Sequence, residues 1–160
     1  WTDPDETAER FKPCPHSSPE MASTELAVWS GDQVMKDEEG YLYFISRNDE
    51  MIKTSGYRVS PTEIEDIIHG TGLVTEAVAM GLPHAALGQA ILLVVTPALG
   101  AKGDDTLKNA VLSCCRRELP NFMVPAIVTV QDTLPHNANG KIDRRMLSEQ
   151  YQTMFQDDSP

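Results

Sequence analysis

The run Ala90 to Val95, AILLVV, constrains this chain most, because six consecutive apolar residues leave no polar face to turn toward water. It is far short of the ~20 residues needed to span a bilayer, so protein must cover it on both sides. With Thr96 it reads as a fully buried strand. Val74, Val78, Met80 and Leu82 mark an earlier strand, and Pro83 to Gly88 a connection, which makes the two strands antiparallel neighbours. After the run, Gly100 to Gly103 reads as a loop, and Asp104 or Asp105 can cap a helix carrying Leu107, Val111, Leu112 and Leu119 at helical spacing. Pro120 stops that helix, and Ala126 to Val130 reads as a third strand. A strand, helix, strand unit crosses over with its two strands parallel. The expected fold is therefore α+β, a small mixed β-sheet flanked by helices.

The remaining helices start at recognisable caps. Ser60-Pro61-Thr62-Glu63 places a hydroxyl at an N-cap, proline at the first helical position and a glutamate that can reach back to the cap's backbone N–H. Ile64, Ile67 and Ile68 then share one face, and Gly70 and Gly72 end the helix. Leu134 to Asp143, LPHNANGKID, is a polar loop; Asp143 caps a last helix with Leu147, Tyr151 and Met154 on one face, and Asp157 to Pro160 should fray. At the other end, Trp1 to Lys12 suits one short helix, Pro13 to Ser23 a linker and Leu26 to Trp29 a strand. A hairpin follows from Gln33 to Ile45, turning at Asp37 to Gly40. Its aromatic residues Tyr41, Tyr43 and Phe44 read as packing residues rather than a base-stacking platform.

Charge narrows the possible partners. With 24 acidic against 13 basic residues the formal charge is −11, which argues against sequence-independent binding to nucleic acid or to anionic membranes. Any cationic site must be local. Arg47, Lys53 and Arg58 surround Gly56, a residue that lets the backbone turn through positive φ and lets a ligand come close, so a phosphate-bearing partner fits. Asn139-Gly140-Lys141 is a tight turn that projects a lysine, but Ile142 stands where a Walker loop would need Ser or Thr. Cys14, Cys114 and Cys115 cannot make an even disulfide framework, which fits a reducing, cytoplasmic setting. His16, His69, His84 and His136 lack the spacing of a zinc site, and no metal ligand is assigned. No signal peptide is visible and the first residue is Trp1, so the chain is expected to be a piece of a longer protein.

Several motifs stand in one order. Ser30-Gly31-Asp32 is followed by Asp37-x-x-Gly40-Tyr41, then by Arg47-x-Asp49-x-x-Ile52-Lys53-x-x-Gly56-Tyr57-Arg58-Val59-x-Pro61-x-Glu63-Ile64-Glu65. Leu119-Pro120 with Met123-Val124-Pro125 comes next, and Leu134-Pro135 with Asn139-Gly140-Lys141-Ile142-Asp143 last. Together they resemble the C-terminal region of the AMP-forming acyl-CoA synthetases and related adenylating enzymes, the superfamily that includes peptide-synthetase adenylation domains and firefly luciferase. Trp1 to Phe11 also looks like the tail of these enzymes' large domain. The resemblance implies residues 1–48 as a remnant of the large N-terminal domain, including the hairpin, 49–156 as the C-terminal lid domain and 157–160 as a disordered tail. The run from Met51 to Glu65 and TGLVTEAVAMGLPHAALGQA after it look more like bacterial acyl-CoA ligases than peptide-synthetase domains.

The resemblance implies an AMP-forming acid-thiol ligase. A carboxylic acid attacks ATP to give acyl-adenylate and pyrophosphate, then the thiol of CoA displaces AMP, with the small domain rotating between the steps. Asp32 and Arg47 match the contacts to the ribose hydroxyls, and Asp49 matches the hinge. Lys141 matches the catalytic lysine that bridges the substrate carboxylate and the α-phosphate. At ~4 Å and an effective dielectric of about 20 such a contact is worth about 4 kcal/mol before desolvation. Lys53, Gly56, Tyr57 and Arg58 match the loop that serves the thioester step. Mg2+ is implied with ATP, with no ligand for it in this chain. Pro135-x-x-x-x-Gly140-Lys141 resembles the motif around lysines that a protein acetyltransferase modifies in this family, which would neutralise the cation. Departures are modest: Ser30 for threonine, Ser46 for glycine and Gln89 for glutamate. The family's phosphate loop, adenine-stacking aromatic and acyl pocket have no match here, so the chain is not expected to adenylate alone. The alternatives are an adenylation domain that loads a carrier protein, a freestanding lid-like binding module without chemistry, and a nucleotide-binding regulator.

Overall fold

A computed structural model describes residues 3–15, 25–47 and 50–155. The chain divides into two compact units, Trp1–Asp49 and Glu50–Pro160. In the first, helix α1 (Pro4–Arg10) leads into β1 (Phe11–Pro13), which pairs antiparallel with β2 (Leu26–Val28). The helix expected to reach Lys12 thus stops two residues early, because Phe11 to Pro13 join a ladder with β2 and the Trp29 N–H donates to the Arg10 carbonyl. A seven-residue helix has too few internal bonds to compete. A second hairpin joins β3 (Asp32–Lys36) to β4 (Leu42–Arg47), with a bulge between Gln33 and Val34. At its turn the Asp37 carboxylate accepts from the Tyr41 N–H and the Tyr43 hydroxyl, each at 2.9 Å. The packing predicted for Tyr41, Tyr43 and Phe44 is not made: all three are exposed, since a two-stranded sheet has no covering layer. Most of the predicted linker, and the tail from 157, lie outside the described residues.

The second unit is built on a five-stranded mixed sheet of β5 (Ile52–Thr54), β6 (Tyr57–Val59), β7 (Val74–His84), β8 (Gly88–Pro97) and β9 (Ile127–Val130). β8 pairs antiparallel with β7 along its whole length and parallel with β9, and it meets β5 at Thr54 and Gly88. The predicted connection Pro83 to Gly88 is shorter than expected, because Pro83 and His84 stay in register with Gln89 and Gly88. Proline is tolerated there because β7 has no ladder partner other than β8 among the described residues. The apolar run is buried as anticipated. Ile91, Leu93 and Val95 face a core shared with helices α2 (Pro61–His69) and α3 (Asp105–Glu118). Ala90, Leu92 and Val94 face a second core closed by Leu147 of α4 (Arg144–Tyr151) and by Phe155.

Caps explain where these helices begin. Asp104 accepts from the Thr106 and Leu107 amides at the start of α3, and Asp143 from the Met146 amide at the start of α4. α2 begins at Pro61 as predicted, but Ser60 forms no side-chain cap bond, so the expected capping box is not made. Pro61 lacks an N–H and arrives with helical φ, so the start does not depend on one. The stripe of α2 is wider than expected: Ile64 and Ile68 are buried, Ile67 packs half-buried against the same core, and Glu65 is buried beside them. None of the three cysteines is in a disulfide. Burial of Cys115 pushes its thiol up to about 11. Among the described residues no helix is long and apolar enough to cross a membrane.

Candidate functional site

Two short loops of the second unit carry the predicted cations. The first is the turn joining β5 to β6. Ser55 and Gly56 both have positive φ, 50° and 82°, as a two-residue type I′ hairpin requires. Ser55 is the one non-glycine residue with positive φ among those described. A Cβ on Gly56 would meet nothing within 4 Å, so within this chain the backbone angle, not crowding, calls for glycine. Lys53 and Arg58 are opposed across the ladder and Tyr57 follows the turn.

Three neutral contacts fix that turn. The Ser55 N–H donates to the Leu87 carbonyl at 2.9 Å. The Lys53 N–H, which has no backbone partner on β8, donates instead to Gln89 Oε1 at 2.6 Å, while Gln89 Nε2 donates to the Gly81 carbonyl. Gly81 makes room for this amide: a Cβ there would lie 2.8 Å from both Gln89 Oε1 and Ile52 Cγ2. The Tyr57 ring stacks on Phe122 with centroids 4.2 Å apart and planes 12° from parallel. Gln89 is the residue noted from sequence as a departure from glutamate. The amide suits this place better, because a carboxylate would face the Gly81 carbonyl without a proton to offer.

The second is the loop that carries Lys141. Asn137 closes it: its Oδ1 accepts from the Asn139 and Lys141 amides, its carbonyl accepts from the Gly140 amide, and its own N–H donates to the Lys141 carbonyl. Gly140 turns with φ 74°. His136 bridges to Ile142, and the Asp143 N–H donates to the Pro135 carbonyl. On the outside, His136 Nε2 lies 2.8 Å from Glu76 Oε1 on β7. Lys141 is exposed, and among the described residues its ammonium makes no ion pair. Glu76, where this loop is pinned, is eight residues along β7 from His84, whose ladder partner Gly88 pairs with Thr54 beside the β5–β6 turn, about 26 Å at the usual strand rise. The two loops therefore lie toward opposite ends of the β7–β8 ladder.

Asp32 and Arg47 belong to the first unit. The structure brings them together as cross-strand partners of β3 and β4, with Arg47 Nη1 3.6 Å from Asp32 Oδ1 and both side chains about one third exposed. The predicted hinge, Asp49, lies outside the described residues. A groove of about 560 Å³ between the end of α2 and α3, reaching Asp66, Thr71, Cys114 and Arg117, contains none of the predicted site residues. No group of three or more His, Cys, Asp or Glu side chains able to hold a metal occurs among the described residues.

Sequence reasoning missed Phe122, the pinning of His136 by Glu76, and a part-buried ion pair between Glu65 and Arg144, 2.8 Å apart. A signal existed for the last, since Glu65 falls four residues from Pro61 and three from Ile68 in an otherwise apolar stripe, and a carboxylate at such a position needs a buried partner.

Comparison with known proteins shows the family. The profile of the AMP-binding enzyme C-terminal domain matches residues 63–141. The acetyl-coenzyme A synthetase of Stutzerimonas stutzeri is 36% identical over 119 residues, 74% of this chain and 18% of that protein. The long-chain-fatty-acid–CoA ligase of Escherichia coli O157:H7 is 37% identical over 122 residues, 76% of this chain and 21% of that protein. The chain thus spans about a fifth of the length of these relatives. The crystal structure of ATP-bound MatB from Rhodopseudomonas palustris superposes with a TM-score of 0.78 at 29% identity, covering 97% of this chain and 28% of that one. A Mycobacterium tuberculosis fatty acyl CoA synthetase gives 0.64 at 31% identity, with 79% and 24% covered. This chain carries the C-terminal domain of the adenylate-forming enzymes and belongs to the superfamily of the AMP-forming acyl-CoA synthetases.

Proposed function

We propose that the chain is the C-terminal part of an AMP-forming acyl-CoA ligase, and that its second unit presents two different loops to a large N-terminal domain in turn. The observation that carries this reading is the pair of exposed cationic loops held toward opposite ends of the β7–β8 ladder. In the first step a substrate carboxylate oxygen attacks the α-phosphorus of ATP, the bond to the β-phosphate breaks and pyrophosphate leaves. The Lys141 ammonium, exposed and unpaired among the described residues, is suited to offset charge as two anions approach. In the second step the thiol sulfur of CoA, losing its proton, attacks the acyl carbonyl and AMP departs. The narrow Ser55-Gly56 turn, with Lys53 and Arg58 beside it, is suited to line the path of a thin ligand bearing phosphates.

Asp32 and Arg47 suit the ribose: the carboxylate accepts from the hydroxyls and the guanidinium donates. Asp49 is the hinge in this reading, residues 1–48 belong to the large domain, and the chain alone does not activate a carboxylate. ATP and CoA are substrates. Mg2+ would accompany the nucleotide. Acetylation of Lys141 by a protein acetyltransferase would silence the first step alone.

The test is Lys141→Ala in the complete enzyme that contains this segment. Carboxylate-dependent pyrophosphate exchange is expected to fall by about 1,000-fold, while thioester formation from supplied acyl-adenylate stays within about threefold. Equal loss of both half-reactions would refute the assignment.

A further inference from the structure

Glu65 is 8% exposed, yet it is fully engaged. Its Oε1 accepts from the Ala79 N–H and from Arg144 Nη2, both at 2.8 Å, and its Oε2 accepts from the same Nη2 at 2.9 Å. Arg144 Nη1 donates to the Ala79 carbonyl at 3.0 Å, and its Nε faces Glu50 Oε2 at 3.7 Å. One guanidinium therefore ties α2, the middle of β7 and the first residue of the second unit to the start of α4. Arg144 stands three residues after Lys141, and the loop between is closed by its own backbone bonds. The guanidinium is thus a fixed point three residues from the lysine.

Docking of α4 does not require this pair. Leu147 is fully buried, Tyr151, Met154 and Phe155 pack in the same core, and the Tyr151 hydroxyl accepts from Gln131 Nε2 at 2.6 Å. Buried ion pairs are often no better for stability than apolar residues of the same size. What the planar fork adds is direction, since it meets a carboxylate and a carbonyl at once. We propose that Arg144, clamped by Glu65 and the Ala79 carbonyl, is the positioning residue that fixes where Lys141 is presented. This rests on the assignment of Lys141 to the adenylation step.

The test uses Arg144→Lys in the complete enzyme, which keeps the charge but loses the fork. Its pyrophosphate-exchange kcat is expected to fall by about 100-fold with little change in the KM for ATP, while thioester formation from supplied acyl-adenylate changes by less than about threefold. Amide hydrogen exchange of residues 137–142 is expected to quicken by about tenfold or more, with residues 91–95 unchanged. Adding Lys141→Ala should then cost correspondingly less than it does in the parent. If Arg144→Lys does not fold, Glu65→Gln, which keeps size and one acceptor, is read in the same way with a smaller loss in the same direction. Unchanged exchange kcat in an enzyme that still depends on Lys141, or equal loss of both half-reactions, overturns the positioning role. Indifference of exchange to Lys141→Ala overturns the functional reading itself, whatever Arg144→Lys does.

Discussion

The Gly56 turn and the Lys141 loop are both short, both bend at a glycine and both present cations, but different forces hold them. The turn is fixed by neutral contacts: a backbone ladder, the Leu87 carbonyl, the Gln89 amide and a ring stack. The Lys141 loop closes on itself through Asn137 and is pinned from outside by charged or titratable groups, His136 on Glu76 and Arg144 on Glu65 and Glu50. In a chain with a net charge of −11, an exposed lysine would readily collapse onto a carboxylate. Arg144, held by Glu50 and Glu65, gives the loop a fixed anchor against that collapse.

Breaking one loop should spare the other. After Lys141→Ala, the largest effect is expected from Gly56→Val in the complete enzyme, where a β-branched residue is forced to φ 82°. Thioester formation from supplied acyl-adenylate should fall by about 100-fold with pyrophosphate exchange nearly intact; parallel loss would show that the loops are not separable. Gln89→Ala leaves the Lys53 N–H without its acceptor and should cost about 0.5–1.5 kcal/mol in urea unfolding, with faster amide exchange at Lys53 and no change at Lys141. Asn137→Ala opens the other loop by removing two acceptor contacts, for about 1 kcal/mol, and should quicken exchange at residues 139–141 alone. The smallest effect is that of salt. Between 0.1 and 1 M the screening length drops from about 10 to 3 Å, so exchange in the Lys141 loop should rise by about two- to threefold while the Gly56 turn is unmoved. A turn that responded equally would remove the distinction between neutral and ionic mounts.

Most of the architecture could be read locally. Proline and glycine punctuation, the apolar run and the Asp104 and Asp143 caps each act within a few residues, and β8, α3 and the parallel β9 followed from them. The motif order led to Lys141 and to Asp32 with Arg47, the last two meeting across a hairpin that sequence had already placed. What escaped was non-local. Glu65 announced that it needed a partner but not which one, and Arg144 lies 79 positions away. Gln89 was visible as a departure, but its role follows from the register of β5 against β8, which leaves the Lys53 amide without a backbone acceptor. The overrun of α1 has the same origin, since β1 exists only because β2 returns beside it.

The central strand has one more consequence, for the way the second unit comes together. Because β8 gives alternate side chains to two cores, neither helical layer can dock on it without also ordering residues the opposite layer needs. The β7–β8 hairpin is sequence-local and can form early, but it is oily on both sides until the two layers arrive. Opening either core exposes the floor of the other, so the two should share a single global opening free energy rather than melting in turn. The second unit gains its rigidity from that shared strand.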